Sequence, residues 1–288
     1  MTATRSGIPV WWIRGPSGTL ILVGTIRELA PGTRWDHDKL VSALKASDRV
    51  MFPGMVTHSI SLVDAWGLQA KARTMATLPR GHHLSSYVGA ADFQRLKDLE
   101  RRGVLQPGIE KRHPLQIIQE LIQYSKGEQA SRGFLTFRRI RPGDDPETLV
   151  RSVVKQNKLR LVQPLPQRSK AALRSALLTT PAEYLPCLRQ TITLAQSGSH
   201  AFHARSQAWA AARVVEVLAS PMEQAFRTCV PRSLRGASAD ELAGGVRNLP
   251  NTPGTTLAVI DLSALASSGG VLDQLVGAGF QVRGPSWR

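Results

Sequence analysis

The sequence predicts an α/β fold, with a mixed sheet formed by the N- and C-terminal segments and a large central helical region. Three observations carry this. Short β-type runs occupy both ends of the chain, while the middle shows apolar periods of three and four punctuated by Gly and Pro. No run approaches the ~20 apolar residues of a spanning helix, because the most apolar stretch, 255–280, is broken by Asp261, Asp273 and several glycines. With 288 residues, 42% apolar and 20% charged, the chain has ordinary globular composition. It reads as one domain over 1–288, with sheet-forming ends at about 8–56 and 255–284 and a mainly helical region at about 57–250.

PVWWIR (9–14) and TLILVGTI (19–26) are β-favouring runs joined by GPSG, a Pro/Gly hairpin turn. Of the adjacent Trp11 and Trp12, one is expected to face the core and the other outward. WDHDKLVSALKASD then spaces Leu40, Val41 and Leu44 as a helix capped by Asp36, and RVMF (49–52) follows as a strand. Further helices are expected near 90–102, 114–126, 145–157, 168–178, 181–196, 204–219 and 238–247. KLRLVQP (158–164) reads as a strand ended by proline, and GFLTF (133–137) as another. The segment 57–75 is ambiguous. TTLAVIDL (255–262), a short helix in GGVLDQLVGAG (269–279) and FQVR (280–283) return strand, helix and strand, so both chain ends should meet in one sheet.

Charge is the abnormal item. The 37 Lys and Arg against 21 Asp and Glu leave +16, which points to polyanions as partners. Between 132 and 174, eleven basic residues stand against three acids. Arg138, Arg139, Arg141, Arg151, Lys155, Lys158 and Arg160 are the candidate basic face, with Arg151 and Lys155 one helical turn apart. Such a strip binds phosphate backbone by counterion release. Only Phe134 and Phe137 are at hand there for base stacking.

The two ends also carry a resemblance. PVWWIRGPSGTLILVGTIRELAPGTRW resembles the start of the TraB/GumN family, which is related to the Tiki-type metal-dependent proteases. In that family a Trp-containing strand, a Gly-Thr turn and a Gly-x-x-His motif precede a Pro-Gly loop and a helix. Here the motif reads Gly24-Thr25-Ile26-Arg27. The family's next strand ends in a carboxylate, where this chain has Pro53, and a further family Glu falls near Pro164. TTLAVIDLSALASSGGVLDQLVGAGFQV resembles the family's closing strand and second Gly-x-x-His motif, with Ser263 or Ala264 in the place of the histidine.

What the resemblance implies is a hydrolytic metal site, which needs imidazoles and carboxylates around a cation with one position left for water. A guanidinium has no free lone pair and stays charged, and proline has no side-chain ligand. The histidines are His37, His58, His82, His83, His113, His200 and His203, so neither terminal strand can supply one. The expectation is therefore a catalytically inactive family member without metal or other cofactor, serving as a binding or regulatory module for an acidic partner, nucleic acid or protein. The alternatives are a divergent metal-dependent hydrolase and a non-specific nucleic-acid-associated protein.

Other constellations have plainer readings. His200 and His203 have i, i+3 spacing but no acid nearby, and read as surface or half-buried residues; His82-His83 reads as loop. Asp144, Asp145 and Glu147 read as N-terminal helix charges. No Gly-x-Ser-x-Gly elbow or phosphate loop is present. Cys187 and Cys229, in no CxxC or Cys/His cluster, read as reduced and buried, and with the opening residues suggest a cytoplasmic chain. Trp209 reads as core, with Arg205 over its ring.

Overall fold

The computed structural model describes residues 7–26, 28–52, 77–127, 146–162, 180–229 and 239–288. Both chain ends do enter one sheet. Strands β1 (Val10–Arg14), β2 (Gly18–Thr25), β3 (Arg49–Met51), β4 (Arg160–Val162), β5 (Gly254–Asp261) and β6 (Val282–Arg283) form a six-stranded sheet in the order β4-β3-β5-β2-β1-β6. β4, β3, β5 and β2 run parallel, whereas β1 is antiparallel to β2 and to β6. The fifth strand in sequence is thus inserted between the second and third, paired with β2 from Gly18↔Gly254 to Thr25↔Asp261. Leu20, Ile21, Leu22 and Val23 are all fully buried, the signature of a strand covered on both faces, and their continuous apolar run matches that position.

Helices α1 (His37–Lys45), α2 (Ala90–Arg101), α3 (Pro114–Ser125) and α4 (Pro146–Asn157) fall where the apolar spacing predicts them. The Asp36 side chain caps α1, accepting from the Lys39 amide at 3.1 Å. The expected 181–196 helix begins as a 3-10 turn and continues as α5 (Leu185–Gln196). The expected single helix over 204–219 is instead α6 (His200–Ala210) and α7 (Val214–Ala219). The break is a C-cap: Ala212 takes φ +53°, and the Arg213 amide reaches back to the Ala208 carbonyl at 2.8 Å.

Helix α8 (Pro221–Cys229) follows, unforeseen, although Ser220-Pro221-Met222-Glu223 is a start signal, and the Ser220 hydroxyl accepts from the Glu223 amide at 3.2 Å. α9 (Ala239–Arg247), α10 (Leu262–Ala266) and α11 (Val271–Gly277) complete the chain. The expected elements at 133–137 and 168–178, and the segment 57–75, lie outside the described residues.

Among the described residues, three apolar clusters result. The largest joins the sheet to α1, α4, α6, α7 and the C-terminal helices; a second joins α2, α3 and α5; a third contains Ala30, Leu194, Phe202, Met222 and Ala225. One expectation is overturned outright: Cys187 and Cys229 are not reduced but form a disulfide between α5 and α8, 42 residues apart. Sequence spacing carried no sign of it, because the pairing depends on α8 folding back along α5. No described helix is long and apolar enough to cross a membrane.

Candidate functional site

In an open sheet of parallel strands, loops at the carboxyl ends converge and ligands bind there. Four strands end along that edge here: β2 at Thr25, β3 at Met51, β4 at Val162 and β5 at Asp261. Each ends two residues before a position singled out from sequence, namely Arg27, Pro53, Pro164 and Ser263. The first three lie outside the described residues; the strands leading to them lie side by side in the sheet.

Ser263 is described. Asp261 caps α10, its Oδ1 accepting from the Ser263 amide at 3.0 Å and from the Ser263 hydroxyl at 2.5 Å. The serine is thus spent on a helix cap. Opposite, Thr25 donates its hydroxyl to the Ile260 carbonyl at 3.3 Å.

The loop leaving β2 is held from one side by α6. Trp209 Nε1 donates to the Gly24 carbonyl at 2.8 Å, an Arg205 Nη donates to the Glu28 carbonyl at 2.6 Å, and Ser206 Oγ accepts from the Ala30 amide at 2.9 Å. Residues 202, 205, 206 and 209 recur at helical spacing, so one face of α6 presents all of them. A Cβ at Gly24 would stand 2.5 Å from the Leu262 side-chain end and 3.1 Å from the Trp11 ring, so this position packs closely against α10 and β1. Glu28 adopts φ +52°, a left-handed conformation rare outside glycine, and its carboxylate pairs with Lys126.

Arg205 is fully buried and paired with buried Glu223 at 3.1 Å. Burial lowers the pKa of the guanidinium, and Glu223 first, then Glu28 and Asp261, oppose that shift. The guanidinium stacks over Phe202 and Phe226 and not over Trp209, whose ring faces Trp35 instead; this corrects the sequence expectation. The buried pair was missed, although Phe202, Arg205 and Trp209 share one face at i, i+3 and i+7.

No donor set for the metal that the resemblance implies is seen among the described residues of this edge. Among the described residues at this edge, Asp261 accepts from Ser263 through Oδ1 and the Glu28 carboxylate pairs with Lys126. Arg27, Pro53 and Pro164 bring no lone pair from their side chains. No group of three His, Cys, Asp or Glu able to hold a metal occurs among the described residues. His200 and His203 are exposed, with His203 Nδ1 3.0 Å from the Ser199 carbonyl.

Of the basic face, Arg138, Arg139 and Arg141 lie outside the described residues, as do Asp144 and Asp145. Arg151 pairs with Glu147 and lies over the Phe52 ring. Lys155, Lys158 and Arg160 are exposed, the last on the edge strand β4. Trp11 and Trp209 are buried and Trp12 is exposed, as the strand alternation and helix spacing require.

Comparison with known proteins agrees with the ends of this sheet. The sequence model of the TraB/PrgY/gumN family matches residues 9–284, from β1 to just beyond β6. None of the curated proteins or solved structures compared matches the chain. A match over nearly the whole length, with both terminal strands inside it, means that the chain belongs to the TraB/PrgY/gumN family.

Proposed function

We propose that this family member has lost metal-dependent hydrolysis and acts as a binding or regulatory module for an acidic partner. The observation that carries the reading is the set of residues following four adjacent parallel strands: Arg27, Pro53, Pro164 and Ser263. A divalent ion bound for hydrolysis needs about three protein ligands of lone-pair type, and these side chains offer one hydroxyl, already engaged by Asp261. The relation to Tiki-type proteases belongs to the same proposal.

Binding of the acidic partner is assigned to Lys155, Lys158 and Arg160 together with Arg138, Arg139 and Arg141, supported by the net charge of +16. The disulfide bears on location: the cytoplasmic expectation rested partly on reduced cysteines, and a Cys187–Cys229 bond suits an oxidising compartment better. Counting free thiols in the protein taken directly from cells decides between them.

The test is elemental analysis of the purified full chain for zinc, manganese and cobalt, alongside peptide and ester hydrolysis. Substoichiometric metal and no turnover are expected, with or without added ion. Stoichiometric metal, with turnover abolished by a chelator, overturns the inactive reading.

A further inference from the structure

Trp12 is the one exposed tryptophan among the described residues, 42% accessible in the middle of a strand. Its surroundings come from both ends of the chain. In the antiparallel β1–β6 ladder Trp12 stands directly opposite Arg283. Directly opposed residues project from the same face with Cβ atoms about 5 Å apart. Arg14, two residues along β1, lies on that face roughly 7 Å away. Both arginines are exposed, and neither has an ion pair with any described residue.

The other face at this edge is closed. Trp11 is fully buried and donates its indole N–H to the Pro285 carbonyl at 2.9 Å, and Trp287 and Arg288 are tied to Asp273. Among the described residues, one side of these edge strands is covered, and the other presents an indole beside two exposed guanidinium groups.

We propose that Trp12, Arg14 and Arg283 form a docking surface for single-stranded nucleic acid. A single strand offers what this patch lacks: planar bases for the indole and phosphates for the two guanidinium forks. A duplex keeps its bases stacked inside and leaves the indole unused. An acidic peptide matches the arginines but supplies no ring for Trp12. The +16 chain adds long-range attraction for the backbone. This surface is separate from the α4–β4 basic face, so charge reversal at Lys155, Lys158 and Arg160 tests that reading without touching this one.

The experiment titrates the full chain with a fluorescein-labelled oligothymidylate of about 12 nucleotides, with heparin and polyglutamate as base-free polyanions. Binding of the oligonucleotide quenches tryptophan emission in the wild type. Trp12→Ala weakens it about tenfold, the scale of one lost stacking contact, and leaves heparin affinity and the melting temperature unchanged. Trp12→Phe retains most of the binding, and Arg14→Ala or Arg283→Ala weakens oligonucleotide and heparin together. Unchanged oligonucleotide affinity in Trp12→Ala overturns the proposal. So does an equal loss for heparin, or polyglutamate binding that depends on Trp12.

Discussion

The sheet layer and the helical layer are stabilised by different means. The sheet depends on apolar burial between strands distant in sequence, β2 and β5 being 236 residues apart at their paired start, Gly18↔Gly254. The region of α5, α6 and α8 adds what the sheet lacks: a disulfide and a buried ion pair, Arg205–Glu223. The lesson is that the helical layer adds a covalent and a charge-paired constraint, the second of which reaches the carboxyl edge through the Glu28 carbonyl.

The sharpest break of this contrast is at the seam, where Arg205 joins Glu223 to the Glu28 carbonyl. Arg205→Met is expected to cost about 4 kcal/mol, because Glu223 is left charged in the interior. Urea unfolding measures it, and the double variant Arg205→Met with Glu223→Leu should recover most of the loss. Within the sheet, Leu257→Ala on the central strand should cost about 3 kcal/mol, the usual penalty for a buried leucine cavity. An equal effect from exposed Leu161→Ala on β4 would contradict the burial argument.

In the helical layer, replacing both Cys187 and Cys229 by serine should lower stability by about 2–4 kcal/mol, since a crosslink spanning 42 residues constrains the unfolded chain. Proteolysis is then expected to cut first around α5 and α8 and to leave the sheet intact. Simultaneous loss of both layers would show that they unfold as one unit.

The smallest expected effect depends on pH. His113 is buried at the start of α3, its Nδ1 accepting from the Leu115 amide at 3.2 Å, which requires the neutral ring. Burial lowers its pKa, so the unfolded chain, with a value near 6.5, takes up the proton more readily than the folded one. Its contribution is complete above about pH 6.5 and is lost as pH falls through the lower folded value. His113→Asn, which keeps a cap acceptor without the titration, should lose less stability than wild type between pH 7.5 and about 5. Identical pH profiles would remove His113 from the account.

Much of the sheet was readable because its signals are local. The strand alternation at Trp11 and Trp12, the Asp36 cap and the period of α2 to α4 each arise within a few residues. Four strands end two residues short of positions singled out by resemblance, three of which lie outside the described residues. The α6–α7 break went unseen because its left-handed cap is an alanine and no glycine marks it. The start of α8 lay in plain view at Ser220-Pro221.

By itself, the sequence determined most of the strands and helices, the excess of positive charge and the absence of histidine from both terminal strands. Tertiary structure alone decided the insertion of β5 between β2 and β3, the union of Cys187 with Cys229, the burial of Arg205 and the meeting of Trp12 with Arg283. The physical reason is one of range. Propensity and periodicity act over a turn or two of chain, whereas partner choice follows from which surfaces are buried against one another once the whole chain has collapsed.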